Sequence, residues 1–193
     1  MVDARKAAFE RLYERSDDPW NFETSPYEHA KYAATLEALG DRRYRNAIEI
    51  GCSVGVLSKM LAERCKRFLG MELNAKAARL ARERMSGHPA ARIVVAEAPG
   101  DWARARYDLV VLSEILYFLS ADEIDRLVAH VARDLEAGGD CVLVNWLGET
   151  DTALDGRAAS ALFRDLLGRR AAYDEIHVHV GADYELRVLR MDA

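Results

Sequence analysis

Two glycines and two glutamates in the first half of the chain have the spacing of a nucleotide-binding site. Gly51 and Gly55 follow the apolar segment NAIEI, Glu49 lies two residues before the first of them, and Glu72 lies 17 residues after the second. Gly51 permits a turn directly after a strand, and Gly55 lets the following helix pack near that strand while a ligand approaches the backbone. A carboxylate at the end of the second strand can accept both hydroxyls of a ribose, so the pattern predicts an adenosine cofactor.

Ser53 distinguishes this loop from a dinucleotide site. The segment has the form GxxxG, and Ser53 stands where the GxGxxG pattern has the glycine that a diphosphate approaches. Glu49 adds a carboxylate to the floor of the site, which repels a diphosphate but attracts the sulfonium and ammonium groups of S-adenosylmethionine. These residues favour S-adenosylmethionine over a nicotinamide dinucleotide. Two turn glycines without any ligand are the alternative interpretation of the loop alone.

Three further residues are candidates for catalysis. Glu114 and Tyr117 follow the fourth apolar segment, at the mouth of the expected site, and His29 lies in a helical segment nearer the N-terminus. A carboxylate or imidazole near an amine can accept the proton that the amine must lose before it attacks. The alternatives are a helix cap for Glu114, core packing for Tyr117 and a helix surface for His29. Trp146 ends the fifth strand. It is interpreted either as a wall of the substrate site or as part of the core.

Two histidines and three cysteines are the candidate metal ligands. His177 and His179 alternate with apolar residues, so they share one face of a strand. They form either a metal pair or the solvent side of an edge hairpin, and no third ligand is evident. Cys52, Cys65 and Cys141 are odd in number and include no CxxC pair. We therefore predict no metal site and no disulfide framework, and we expect a reducing cytoplasm.

The elements that must position these residues alternate along the chain. Strands are predicted at residues 46–50, 67–73, 92–96, 108–113, 141–146, 172–180 and 184–191. Helices are predicted at residues 3–15, 27–39, 54–64, 75–85, 121–135 and 156–167. The near-continuous apolar strands are typical of a parallel sheet that is covered on both faces. The last two strands lie too close in sequence for a parallel crossover, so they predict an antiparallel hairpin.

Composition limits the function classes. The 193 residues are 50% hydrophobic and 31% charged, which indicates one folded domain. The net charge of −5 argues against a nucleic-acid partner, and the basic cluster at residues 42–45 is interpreted as solvated surface. No apolar run approaches the ~20 residues of a membrane span, and the first residues lack the apolar core of a secretory signal. The sequence indicates no oligomeric state.

Several segments carry a resemblance to a known family. EIGCSVG, MEL, AEAP and DLVVLSEILYFL resemble class I S-adenosylmethionine-dependent methyltransferases. DDPWNFETSPYEHAKYAATLEALG and RYRNAIEIGCSVGVL resemble the nodulation protein S family, N-methyltransferases that act on deacetylated chitin oligosaccharides. The resemblance runs from about residue 16 to the end of the chain.

The resemblance implies an α/β fold, with a Rossmann-like, doubly wound, mostly parallel seven-stranded sheet in the order 3-2-1-4-5-7-6 and a C-terminal antiparallel hairpin. It also implies one methyltransferase domain, with an N-terminal helical lid over residues 1–40 and a cofactor-binding core over residues 41–193.

The resemblance further implies which residues contact S-adenosyl-L-methionine. They are Trp20 and Tyr27 in the lid, Tyr32 in the helix beneath it, Glu49, Gly51, Cys52, Ser53 and Gly55 around the methionine and ribose, Glu72 at the ribose hydroxyls, Leu73 beside the adenine, Glu97 and Ala98 at the adenine amine, and the backbone carbonyl of Ser113 at the methionine ammonium. Glu97 departs from the broad class, which has aspartate there. Ser53 departs from it as well, although the narrower family shares this serine.

We therefore expect an S-adenosylmethionine-dependent methyltransferase that acts on a small polar molecule, with the amine of an amino sugar as the leading acceptor. Two alternatives remain open. One is methyl transfer to a hydroxyl or carboxyl oxygen, and the other is a non-catalytic, cofactor-binding partner in a biosynthetic complex. The fourth strand is not followed by the Asn/Asp-Pro-Pro-Tyr/Phe motif of base-modifying enzymes, so no nucleic-acid substrate is expected.

Overall fold

One mixed α/β sheet organises the chain. The computed structural model describes residues 2–193, with side chains from residue 4 onward. The described helices are α1 (Val2–Arg15), α2 (Pro26–Ala38), α3 (Val56–Ala62), α4 (Ala75–Arg84), α5 (Ala121–Asp134) and α6 (Gly156–Gly168), with a 3₁₀ turn at Leu116–Phe118. The described strands are β1 (Ala47–Ile50), β2 (Phe68–Glu72), β3 (Ala91–Val95), β4 (Tyr107–Ser113), β5 (Leu135–Trp146), β6 (Tyr173–Val180) and β7 (Tyr184–Met191).

The strand order is β3-β2-β1-β4-β5-β7-β6, which confirms the expected topology. The strands β1 to β5 run parallel, and β7 is antiparallel to both β5 and β6, as the short connection required. Ile50 at the end of β1 pairs with Met71 of β2 and Leu112 of β4, so these strands end level with one another. Loops that leave the three strands are therefore held side by side at one edge of the sheet.

Both faces of the central strands β1 and β4 are buried, which explains their continuous apolar segments. In β4, Leu109 and Val111 pack toward α2, α3 and α4, whereas Val110 and Leu112 pack toward α5 and α6. All four side chains are fully buried. The central strand thus holds two core layers together through alternate residues, as expected for a doubly wound sheet.

Most element boundaries differ from the predictions by one or two residues, and two of the differences have a cause in the backbone. Helix α3 begins at Val56 rather than at residue 54, because Gly55 has a left-handed φ of +80° that a helix cannot contain. Strand β5 begins at Leu135 rather than at residue 141. Gly138 and Gly139, which fall between the predicted helix and the predicted strand, therefore lie within β5. Gly138 has a φ of +69°, and the pairing with β4 shifts register between Tyr107 and Leu109. An irregular first half of β5 replaces the predicted loop.

A buried ion cluster closes the opposite, amino-terminal edge of the parallel strands. Asp140 of β5 is fully buried and accepts hydrogen bonds from Arg42, at 3.0 Å, and from Arg190 of β7, at 2.7 Å. The hydroxyl of Tyr44 donates to the same carboxylate at 2.7 Å. Arg45 pairs in turn with Asp108 at 3.3 Å. Arg42 and Arg45 are therefore paired within the fold and Tyr44 is buried, whereas Arg43 is exposed, so the interpretation of the cluster as solvated surface holds only in part.

None of the helices in the described part of the chain combines the length and the apolar character that a membrane crossing requires. The three cysteines are free thiols.

Candidate active site

A cavity of about 610 Å³ lies at the carboxyl ends of β1 to β5. Its volume falls in the range of roughly 300–1,000 Å³ that is usual for small-molecule sites. The residues predicted for the site that line this cavity are Trp20, Tyr27, Tyr32, Glu49, Gly51, Cys52, Ser53, Gly55, Glu72, Leu73, Glu97, Ala98, Ser113, Glu114 and Tyr117. The location agrees with the rule that open α/β sheets bind ligands beyond the carboxyl ends of their strands.

His29 is the predicted site residue that the structure does not bring to this cavity. Its side chain is exposed on α2, and its Nε2 atom lies 2.9 Å from the carbonyl oxygen of Glu23. This position corrects its nomination as a base and corresponds to the alternative of a surface histidine.

The loop after β1 requires its glycines for conformation and for close packing. Gly51 has a φ of +74°, and a Cβ atom there would stand 3.1 Å from the Cδ1 atom of Ile115. Gly55 has a φ of +80°, and its Cβ would stand 3.1 Å from the backbone Cα of Ala81 in α4. The crowding at Gly55 thus comes from α4 rather than from the helix that follows the loop. Ser53 between them also adopts a left-handed φ, of 49°.

Glu72 fixes the shape of this loop. Its Oε2 atom accepts the backbone N–H of Ser53 at 2.8 Å, and its Oε1 atom accepts that of Asn74 at 2.8 Å. Burial raises the pKa of Glu72, and the backbone hydrogen bonds act against that rise. Each carboxylate oxygen has a second lone pair, so Glu72 can still accept hydrogen bonds from a ligand in the cavity.

Glu49 forms a buried acidic floor. The hydroxyl of Ser58 donates to its carboxylate. Burial raises the pKa of Glu49 to about 7, with a further contribution from the negative charge of Glu72. Tyr32 also lines the cavity, and burial and the nearby Glu28 raise the pKa of its hydroxyl.

Helix α1 and the following loop form a roof of aromatic side chains. Trp20 stacks on Phe22 with ring centroids 5.5 Å apart, and it lies 5.9 Å from Tyr13 and 6.0 Å from Phe9. The hydroxyls of Tyr13 and Ser53 share a hydrogen bond of 2.6 Å, so the roof is joined to the loop after β1.

Arg5 attaches the roof to the opposite wall. Its guanidinium lies 2.9 Å from Glu97 and 3.1 Å from Glu123, and it donates to the carbonyl oxygen of Phe118 at 2.9 Å. Arg5, Phe9 and Tyr13 are four residues apart and all line the cavity, so they form one stripe of the helix. This stripe was not predicted, although the four-residue spacing of its members is evident in the sequence.

Glu114 is the centre of a hydrogen-bond network. Its Oε1 atom accepts from Lys31 Nζ at 2.6 Å, and its Oε2 atom accepts from the Tyr117 hydroxyl at 2.8 Å and the Trp146 backbone at 2.9 Å. The 3₁₀ turn that follows has no side-chain cap, so the alternative of a capping role is wrong. Tyr117 is buried against the core and also lines the cavity, which unites the two interpretations of that residue. Glu114 therefore holds Lys31, Tyr117 and the end of β5 together, and its role as a base stays a prediction.

Lys31 was not predicted, and it connects Glu114 to α2. Its side chain is almost fully buried, and Nζ lies 3.0 Å from Glu28 Oε1 and 5.1 Å from the centroid of the Tyr27 ring. The Tyr27 ring packs edge-on against Trp146, at the end of β5. Tyr27 therefore lies on the β5 side of the cavity, and its expected contact with the cofactor stays a prediction.

The cavity is strongly acidic. The acidic residues that line it are Glu28, Glu49, Glu72, Glu97, Glu114 and Asp151, whereas its basic residues within the described chain are Arg5 and Lys31. Such a lining concentrates cations and disfavours phosphorylated ligands. Among the described residues, no group of three or more histidine, cysteine or acidic side chains is arranged to hold a metal ion. His177 and His179 lie on the edge strand β6.

The chain is similar to proteins of one family over most of its length. A family model described as nodulation protein S matches residues 4–147. Nodulation protein S of Rhizobium tropici is 30% identical over 129 residues, which are 66% of this chain and 54% of the relative. Nodulation protein S of Sinorhizobium fredii is 28% identical over 116 residues, 60% of this chain and 54% of the relative. The chain thus spans about half the length of the curated relatives that it matches.

Two solved structures are similar over most of the chain. The N-methyltransferase NodS from Bradyrhizobium japonicum, solved with S-adenosyl-L-homocysteine, superposes with a TM-score of 0.82 at 22% identity, covering 98% of this chain and 99% of the other. A candidate methyltransferase from Pseudomonas syringae is 34% identical with a TM-score of 0.72, covering 85% of this chain and 98% of the other. The first of these similarities establishes the fold.

Proposed function

The chain belongs to the nodulation protein S family, within the class I S-adenosylmethionine-dependent methyltransferases, and from this premise we propose that it transfers a methyl group from S-adenosylmethionine to the amine of a small polar molecule. The observation that carries the proposal is the acidic cavity at the carboxyl ends of the strands, with six carboxylates and two basic side chains among its described lining residues. Both the cofactor and a protonated amine are cations, so this lining suits both of them.

The residues of the cavity fit the cofactor that the family implies. The loop from Gly51 to Gly55 lines the cavity, and its two glycines place no side chain between the backbone and a ligand. Glu72 would accept the ribose hydroxyls with its remaining lone pairs, and Glu49 would face the positive charge of the ligand. Leu73 and Ala98 would contact the adenine, in keeping with the family pattern.

When bound, S-adenosylmethionine supplies a methyl group that its positively charged sulfur has already activated. The work left to this chain is to align the acceptor nitrogen, exclude water and remove a proton from the amine. The roof of Phe9, Tyr13 and Trp20 would exclude water. Glu114 would hold Lys31 and Tyr117 in place at the acceptor end.

The acceptor class follows from charge and from the family. A cavity with excess negative charge favours an amine over a neutral alcohol or a carboxylate. An amino sugar remains our leading candidate, with a reducing cytoplasm as the compartment and no nucleic acid as substrate. The Bradyrhizobium neighbour is an N-methyltransferase, which supports this choice.

The cofactor site is tested by calorimetric titration with S-adenosylmethionine and S-adenosylhomocysteine. We expect micromolar binding to the wild-type protein and no detectable binding to Gly51→Val or Glu72→Ala. The matched control is Gly87→Val, since Gly87 is exposed and an added Cβ there meets no atom within 4 Å. Unchanged titration curves for both site variants would refute the assignment.

The reaction is tested by incubating the protein and labelled cofactor with a panel of amino sugars, simple amines and matched alcohols. We expect mass spectrometry to find products that carry one added methyl group on nitrogen. Methylated oxygen would replace the proposal by the O-methyltransferase alternative. Cofactor binding without turnover of any amine would favour the non-catalytic partner.

A further inference from the structure

Two buried polar atoms at the acceptor end of the cavity have no hydrogen-bond partner in the protein. They are the hydroxyl oxygen of Tyr27 and the Oε2 atom of Glu28, neighbours at the start of α2. Both residues line the cavity. Buried polar atoms are nearly always hydrogen-bonded, so each of these atoms indicates a partner that the chain itself does not provide.

The charges around them are also unbalanced. Glu28 is 8% exposed and Lys31 is 2% exposed, and Glu114 completes the cluster. Two carboxylates face one ammonium, which leaves one negative charge without a counterion. Arg5, the other basic residue in the described lining, is already bound to Glu97 and Glu123. An uncompensated buried charge is costly, so a further cation would stabilise this cluster.

The cluster lies beside Ser113, which directly precedes Glu114 and is expected at the methionine end of the cofactor, and away from the expected ribose and adenine contacts. Glu114 follows β4, and the Tyr27 ring packs against Trp146 of β5 and Tyr184 of β7, with centroids 6.0 and 6.1 Å apart. The loops with Gly51, Glu72 and Glu97 follow β1, β2 and β3 instead. The unpartnered atoms therefore lie on the side of the cavity away from the expected ribose and adenine contacts, and we assign Tyr27, which the resemblance placed over the cofactor, to a second molecule instead.

We propose that Tyr27 and Glu28 form the docking subsite for a primary ammonium group of the methyl acceptor. Such a group has three N–H donors and no acceptor, so it can donate to the Glu28 Oε2 atom and to the Tyr27 oxygen while it balances the charge. A neutral alcohol could donate to Glu28 and accept from the Tyr27 hydroxyl, but it would leave the negative charge without a counterion. This inference rests on the proposed function and assigns the acceptor end of the same site.

The subsite also provides a destination for the proton of the amine. Transfer of one proton from the ammonium nitrogen to Glu28 Oε2 breaks an N–H bond, forms an O–H bond and leaves the nitrogen lone pair free to attack. Glu28 becomes neutral, and Lys31 stays paired with Glu114, so the cluster has no net charge before or after the transfer. Glu114 and Lys31 act as positioning residues in this arrangement.

The inference is tested by titrating the protein, saturated with S-adenosylhomocysteine, with d-glucosamine and ethanolamine. Their neutral counterparts d-glucose and ethylene glycol serve as ligand controls. We expect the ammonium compounds to bind and the neutral ones not to bind. Tyr27→Phe and Glu28→Gln should each weaken ammonium binding by about tenfold or more, as is typical for the loss of a hydrogen bond to a charged group. Glu37→Gln, on an exposed position of the same helix, should bind like the wild type.

Tyr27→Phe separates docking from a purely structural role. It removes a hydroxyl that has no partner in the protein, so a structural role predicts unchanged or increased thermal stability and unchanged ligand binding. The inference is overturned if neither ammonium compound binds the wild type, or if both variants bind them as the wild type does. It is also overturned if the variants weaken the binding of S-adenosylhomocysteine by the same factor, since that result would assign the two residues to the cofactor site. Failure of the wild type to bind S-adenosylhomocysteine would instead refute the proposed function.

Discussion

Single residues in this cavity combine a structural and a chemical task. Glu72 holds the loop after β1 through two backbone N–H groups and also presents lone pairs to the cavity. Glu49 is bound to Ser58 and buried, and its raised pKa means that a proton is retained up to about pH 7. Both residues were predicted from their spacing to the glycines, because strand ends and turn residues are visible in a sequence.

The pKa of Glu49 predicts how cofactor binding depends on pH. The pKa of Glu49 is about 7 in the folded protein and 4.5 without the fold, so protonation of Glu49 favours the folded state below pH 4.5, and that contribution is lost as the pH rises through 7. A bound cation offsets the cost of burying the ionised carboxylate. We expect S-adenosylmethionine to bind roughly tenfold more tightly at pH 8 than at pH 6.

The check is a set of calorimetric titrations with S-adenosylmethionine at pH 6, 7 and 8. Glu49→Gln should bind more weakly at pH 8 and should lose most of the pH dependence, whereas the ionisation of the cofactor itself affects both proteins equally. An identical pH dependence in wild type and variant would show that Glu49 does not face the cation.

Lys31 shows which residues the sequence could not assign. A lysine on an amphipathic helix is usually interpreted as solvated, and nothing local indicates that it is buried against Glu114, 83 positions later. Its burial follows from how α2 lies across the ends of β4 and β5, which is a property of the tertiary structure. The same limit applies to Arg5, whose partners Glu97 and Glu123 are distant in sequence.

At the scale of elements, α1 is attached to the core through side chains at one stripe. The periodicity of α1 predicted a helix, and the four-residue spacing of Arg5, Phe9 and Tyr13 marks the stripe, but the sequence does not show which way the stripe faces. The boundary of β5 was missed for a related reason. Adjacent glycines predict a loop, yet pairing with β4 holds Gly138 in an irregular strand.

Removing the attachment of α1 should weaken the cofactor site. Arg5→Met leaves the helix pattern intact but removes two ion pairs and a hydrogen bond to the carbonyl of Phe118. We expect the Kd for S-adenosylhomocysteine to rise about tenfold, since one hydrogen bond to a charged group contributes about 1.5–3 kcal/mol. Arg11→Met, at an exposed position of the same helix, is the calorimetric control. Equal affinities for the two variants would contradict a role of α1 in binding.

At the scale of the whole molecule, the two edges of the parallel strands have different tasks. The carboxyl edge holds the cavity, and the amino edge holds the cluster of Asp140 with Arg42, Tyr44 and Arg190. The strand order and the terminal hairpin were predictable because the family resemblance and the strand spacing agreed. The ion cluster was not, since the basic residues near the start of β1 had no visible acidic partner.

Asp140→Asn should therefore lower stability without changing cofactor affinity. Asp140 is fully buried, whereas Arg42 and Arg190 are 33% and 39% exposed and can be solvated when their partner is lost. We expect the free energy of unfolding in urea to fall by about 2 kcal/mol, below the ~3–5 kcal/mol of a fully buried pair. Asp165→Asn removes an exposed ion pair with Arg169 and should change the free energy of unfolding by less than about 0.5 kcal/mol. A large change in the Kd for S-adenosylhomocysteine would contradict the independence of the two edges.

The close approach of Gly55 to Ala81 restricts how this sequence can diverge. The two positions are distant in the chain, yet neither can accept a larger residue while α4 keeps its place against the turn. A methyl group added at either position would push α4 outward and carry Asn74, which begins that helix, away from Glu72. Substitution at either site would therefore also displace Asn74. Homologues that keep the turn should retain small residues at both sites.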